Sequence, residues 1–196
     1  RQMCIRDRIN NSINRQLKKG ISFSLATTLE YELAKLLVEI VPSADMVRFA
    51  KNGSDVTGAA IRLSRAITSR KKIIVCGYHG WHDWYIGSTE KDLGVPEEIK
   101  KLTVSVEFNN FKKIKSLFER GPREYAALII EPEGSEIQNN NFLKKIRAIT
   151  KKYKTILIFD EIVSGFRVDI GGAQKKYNVI PDLTTLGKAM AVSYTH

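Results

Sequence analysis

Cysteine is nearly absent: Cys4 and Cys76 are the only two in 196 residues. That is too few for a disulfide framework and suits a reducing, cytoplasmic setting. Long apolar runs are missing as well. Stretches such as "AALII" and "TILIF" fall far short of the roughly 20 residues a membrane helix needs, and the N-terminal string carries no apolar signal-peptide core, so no membrane partner is expected. There is no block rich in proline, serine or glycine, no internal repeat and no clear linker, which argues against wholesale disorder. Acidic residues are the scarcer sign, 21 against 32 basic, leaving a net charge of +11. That excess invites a nucleic-acid reading, but no RNP-like aromatic strand, recognition helix or zinc-finger spacing accompanies it. The lysines come as scattered doublets, Lys18-Lys19, Lys112-Lys113, Lys144-Lys145, Lys151-Lys152 and Lys175-Lys176, mostly in segments of helical period. They read as solvated outer faces, and no nucleic-acid partner is expected.

What is present is an alternation. With 43% hydrophobic residues the chain can bury a sizeable core. "TTLEYELAKLLVEIV" opens with Thr27 and Glu30 at capping-box spacing and repeats apolar positions every three to four residues, predicting a helix. "DMVRFA" reads as a short strand, and "NGSDVTGAAIRLSRAIT" as a turn running into a helix. Strands follow at "KKIIVCG", "LTVSVEF", "AALIIEP" and "TILIFDE", with helices near 110–119 and over "NNFLKKIRAITKKY". Apolar strands separated by helices predict an α/β fold of three layers, α/β/α, around a mostly parallel sheet.

Polar residues fall where such a sheet puts a site. Gly77-Tyr78-His79 follows "IIVC", Glu131-Pro132 follows "LII", and Asp160-Glu161 follows "LIF". Ligands of open α/β sheets bind beyond the carboxyl ends of the strands. In "NGSD", Gly53 permits a tight turn and the helix that follows offers free N–H groups to an anion; the plain alternative is Ser54 as an N-cap with Asp55 in the first turn. "YHGWHDW" places His79, His82 and Asp83 together, but a metal needs further ligands, and the remaining histidine is His196, so no metal is expected. The aromatics Tyr78, Trp81 and Trp84 suit packing or stacking on a flat ligand. Asp160, ending an apolar run, needs a cationic partner or donors; a protonated heterocyclic nitrogen or Arg167 would serve. Lys188 alone is a weak signal. Together, an anion site, a ring face, a buried carboxylate and a lysine make the set that pyridoxal 5'-phosphate requires.

The strings "FAKNGSDVTGAAIRLSRA", "CGYHGWHDW", "IIEP", "ILIFDEIVSGFR" and "PDLTTLGKAMA" stand in an order that resembles class III pyridoxal-phosphate aminotransferases of fold type I, most closely the glutamate-1-semialdehyde 2,1-aminomutase-like branch. The resemblance runs over about residues 9–191. It implies that Lys188 is the Schiff-base lysine and proton shuttle, and that Asp160 is the partner of the pyridine nitrogen, with Ile162 packing under the ring. Tyr78 would stack on the other face, with His79 beside it. Gly53 and Ser54 would form the phosphate turn, where Asp55 replaces the glutamate common in the family. Glu131 would be an ordering acid, and Ser22 and Ser24 would lie near the substrate entrance.

The resemblance implies an enzyme, an aminotransferase or aminomutase acting on a small amino or oxo compound and working as a homodimer. Within the family the alternative is an aminotransferase for an amino-sugar or surface-polysaccharide precursor. From another class, the alternative is a non-catalytic basic α/β binding module. The end strings "RQMCIRDR" and "VSYTH" depart from the family pattern. The chain is therefore expected to be a partial large domain from a longer enzyme, without the C-terminal small domain, and Cys4 and His196 are set aside.

Overall fold

The computed structural model describes residues 2–133 and 140–191. The chain divides into two units, residues 1–36 and 37–196. The first holds helix α1 (Gln2–Leu17) and most of α2 (Thr28–Ile40). The expected capping box is formed: Thr27 N–H donates to Glu30 Oε2 at 2.7 Å, and Glu30 N–H donates to Thr27 Oγ1 at 3.3 Å. Two orphan donors at the start of α2 are thereby satisfied reciprocally.

In the second unit, five strands form one sheet in the order β2-β1-β3-β4-β5, every pair parallel. They are β1 (Lys72–Cys76), β2 (Thr103–Ser105), β3 (Tyr125–Ile130), β4 (Ile156–Glu161) and β5 (Leu183–Leu186). Side chains alternate across a strand, so a sheet covered on both faces needs apolar residues at every position. β1 meets that demand after its first residue, the part-exposed Lys72. Ile74 and Cys76 join one core cluster with Ile114 and Phe118 of α6 (Phe111–Arg120), Leu143 and Ile146 of α7 (Asn140–Tyr153), and Tyr177 of α8 (Gly172–Tyr177). Ile73 and Val75 join the other, with Ile61 of α3 (Gly53–Thr68) and Tyr85 of α4 (Asp83–Ile86); the short α5 (Glu97–Lys100) precedes β2. The three layers expected from the alternation are therefore present. All ten residues of the lysine doublets are exposed.

Two expectations fail locally. "DMVRFA" forms no strand. Met46 there is 90% exposed, and a strand needs a neighbour to pair with, which a single apolar-rich string cannot guarantee. "LTVSVEF" pairs over Thr103–Ser105 only; four residues on, Asn109 takes a left-handed turn and Asn110 caps α6 through Lys113 N–H at 3.1 Å. The sequence reading also passed over β5, whose "LTTL" carries two threonines in place of a continuous apolar run.

Glu161 anchors the carboxyl end of β4. Its carboxylate is fully buried and accepts from Ser164 Oγ at 3.2 Å, Ala173 N–H at 2.5 Å, Gln174 N–H at 3.3 Å and Gln174 Nε2 at 3.1 Å. Gln174 Nε2 also donates to Thr184 Oγ1 of β5 at 3.0 Å. A buried charge persists only when donors replace its water, and here they tie three elements together. Glu161→Ala, which orphans these donors, is expected to cost about 3 kcal/mol in urea unfolding, against less than about 0.5 kcal/mol for Met46→Ser on the exposed stretch; equal losses would contradict this account of the anchor.

Candidate functional site

Because all five strands run the same way, their carboxyl ends share one edge, and the chemically loaded segments meet there. Asp160 is 4% exposed and lies one residue from the end of β4. Its Oδ2 is 2.8 Å from His79 Nδ1; its Oδ1 accepts from Thr185 Oγ1 of β5 at 3.0 Å and from Ile162 N–H at 3.3 Å. Arg167 is exposed and is not among these partners, so the arginine alternative for Asp160 is set aside. The other nitrogen of His79, Nε2, faces the Cys76 carbonyl at 3.2 Å. A donating Nδ1–H on His79 takes the place of water at the buried Asp160 carboxylate. A carboxylate has about four acceptor positions. Three donors face Asp160, which leaves room for one more.

The loop after β1 is fastened at nearly every residue. Tyr85 Oη donates to the Gly77 carbonyl at 2.9 Å, Tyr78 N–H to Glu131 Oε2 at 2.9 Å, Thr57 Oγ1 to the His79 carbonyl at 2.9 Å, and Trp81 N–H to Ser54 Oγ at 3.4 Å. Gly77 (φ +107°) and Gly80 (φ +103°) adopt backbone forbidding to other residues, and a Cβ on Gly80 would fall on the Ser54 side chain. Thus held, the Tyr78 ring stands 61% exposed, edge-on to Tyr85 at 5.6 Å. Tyr78 and His79, adjacent in sequence, point to opposite ends, one outward and one into the core.

At the start of α3 the cap is Asn52, not Ser54: its side chain takes Asp55 N–H at 3.0 Å. Val56 N–H bonds the Asn52 carbonyl at 3.2 Å, while the Gly53 and Ser54 N–H groups make no bond among the described residues. These two donors at the positive end of a 16-residue helix suit an anion. Asp55 instead pairs with His82 Nε2 at 3.8 Å at the surface, so the two histidines of the loop face different surroundings and do not converge as metal ligands. Ile162 closes the gap between two chain segments: a Cβ on Gly53 would lie 2.9 Å from Ile162 Cδ1, and one on Gly187 3.4 Å from Ile162 Cγ2. Lys188, exposed, follows β5 after Gly187 and has φ +41°, an unusual value for a residue with a side chain and one that clusters at functional positions. Ser22 and Ser24 are exposed residues of the first unit, and His196 lies outside the described residues.

Burial pushes the Glu131 carboxyl up from its ordinary value of 4.5, and the neighbouring negative charge of Asp160 adds to this; the Tyr78 N–H, His79 and Lys188 oppose it. Sequence reasoning missed Thr185, Thr57 and Asn52. Only Asn52, a cap-forming residue directly before a glycine-led helix, carried a signal that could have found it.

The Aminotransferase class-III family model matches residues 5–196. Among similar proteins, 3-aminobutyryl-CoA aminotransferase of Cloacimonas acidaminovorans is 40% identical over 195 residues, covering 96% of this chain and 46% of the relative. Glutamate-1-semialdehyde 2,1-aminomutase of Francisella philomiragia is 42% identical over 200 residues, covering 94% and 46%. An omega-transaminase structure from Sphaerobacter thermophilus superposes with a TM-score of 0.85 at 35% identity, covering 92% of this chain and 46% of that one. The chain thus spans about half the length of these proteins.

The pH dependence of stability isolates Glu131. A carboxyl raised on folding binds more protons in the folded state, so its stabilising contribution is complete below 4.5 and is lost as pH rises through the folded value. Glu131→Gln should therefore gain in melting temperature, relative to the parent chain, between pH 4.5 and pH 8. A difference that stays flat or falls across that range would contradict the assignment.

Proposed function

The chain belongs to the class III aminotransferases, and from that premise we propose that it forms the pyridoxal-phosphate-binding part of an aminotransferase or aminomutase acting on a small amino or oxo compound. The observation that carries this reading is Asp160. It is a buried carboxylate at the shared strand edge, held by His79 and Thr185 with one acceptor position to spare. The residues present fit the cofactor. The open Gly53 and Ser54 N–H groups suit its phosphate, the exposed Tyr78 ring one face of its pyridine ring, and Ile162 the other.

Bound there, pyridoxal phosphate supplies an electron-accepting ring that spreads the negative charge left when a bond at the amino-bearing carbon of the substrate breaks. Asp160, through its spare acceptor position, would hold the ring nitrogen and favour a hydrogen on it, which makes the ring accepting. His79 and Thr185 keep Asp160 in place through hydrogen bonds to its two oxygens. The Lys188 amine would hold the cofactor at its aldehyde carbon and would serve as the base for the proton at the substrate carbon. Its left-handed backbone, two residues past the end of β5, fixes where the side chain leaves the sheet edge.

Assembly as a homodimer in a reducing cytoplasm belongs to the same reading, supported by the family resemblance and by the scarcity of cysteine. Two of the similar proteins named above carry different amine chemistry in their names, one an aminotransferase of 3-aminobutyryl-CoA and one a 2,1-aminomutase. The reading accordingly extends to both reaction types.

Borohydride treatment after addition of pyridoxal phosphate, followed by peptide mapping, should place the reduced label on Lys188. Label confined to other lysines would remove Lys188 from the site. Asp160→Ala in the enzyme should lower kcat by roughly 10²–10³-fold, the scale of losing one preorganised electrostatic group. Cofactor affinity should fall less; near-parental turnover would mean that Asp160 only pairs with His79.

A further inference from the structure

We propose that Glu131 is a positioning residue: with Gly77 it forms a latch between the ends of β1 and β3 that fixes where the Tyr78 ring stands. Two bonds cross between these strand ends. Glu131 N–H donates to the Cys76 carbonyl at 3.2 Å, and one residue beyond Gly77 the Tyr78 N–H donates back to Glu131 Oε2 at 2.9 Å. The second is charge-assisted and partly buried, which makes it the stronger kind of hydrogen bond. Gly77 is what admits the carboxylate. Its φ of +107° is open only to glycine at low cost, and a Cβ there would fall 2.5 Å from Glu131 Oε2.

Tyr78 needs such a latch. His79 is locked through its buried ring, and the Gly77 and His79 carbonyls are held by Tyr85 and Thr57. Tyr78 itself is 61% exposed, and its ring has an edge contact with Tyr85. The bond from its own N–H to Glu131 is the direct tie on that residue. The groups whose charges reach Glu131 are His79, Asp160 and Lys188, all at the same strand edge. Glu131 thus acts through the backbone of Tyr78 and needs no contact with a ligand. The consequence for the cofactor rests on the function proposed above; the latch itself does not.

The test is amide hydrogen exchange of the unliganded chain, read on peptides spanning residues 77–80, together with pyridoxal-phosphate titration. Glu131→Ala should speed exchange at residues 77–80 about tenfold or more while the β1 amides stay protected. Glu131→Gln, whose carbonyl oxygen still accepts, should retain most of the protection. Gly77→Ala, which drives the carboxylate away without removing it, should reproduce the Glu131→Ala pattern, and decides the matter if Glu131→Ala fails to fold. Parental exchange at 77–80 in both Glu131→Ala and Gly77→Ala would overturn the latch. If the parent chain takes up pyridoxal phosphate, Glu131→Ala should weaken that uptake about tenfold with rescue by Glu131→Gln; undiminished uptake would overturn the positioning role. A parent chain that takes up none would count against the cofactor reading, and the exchange data would still decide the latch.

Discussion

Everything at the strand edge depends on the buried pair of His79 and Asp160. Each side chain would be costly alone in the interior, and each makes the other tolerable. The pair joins the loop after β1 to the end of β4, two strands apart in the sheet, and Thr185 extends it to β5. Because it is sealed from solvent, its geometry is set by packing and not by side-chain choice. That makes one carboxylate lone pair available at a fixed place.

The parallel sheet explains why the other groups gather there. A helix must return the chain after each strand, so every strand delivers its last residues to the same edge. β1 delivers Tyr78 and His79, β3 delivers Glu131, β4 delivers Asp160 and Ile162, and β5 delivers Lys188. Glu161, one residue beyond Asp160, points into a separate set of donors reaching α8 and β5. Alternation along β4 thus gives two adjacent carboxylates two jobs: one holds the frame and the other faces the site.

Much of this was legible in the sequence, because apolar runs announce buried strands and the polar residues stood directly behind them. The three layers, the start of α2 and the lysine-bearing outer faces follow from periodicity alone. What could not be read depends on partners distant in sequence. Asp160 and His79 are 81 residues apart, and nothing in "FDE" distinguishes an aspartate that meets a histidine from one that meets Arg167. "DMVRFA" has strand-like composition but no neighbour, whereas "LTTL" has weak composition and a neighbour in β4. Asn52 displaced Ser54 as the cap because the side chain two residues earlier was already positioned to accept. In each case register and topology outweighed local preference.

The most direct test of the central claim is nitrogen-15 NMR of the protein loaded with pyridoxal phosphate labelled at the ring nitrogen. The account predicts a protonated ring nitrogen at neutral pH, and loss of that signal position in Asp160→Ala. An unprotonated ring nitrogen in the parent protein would contradict it.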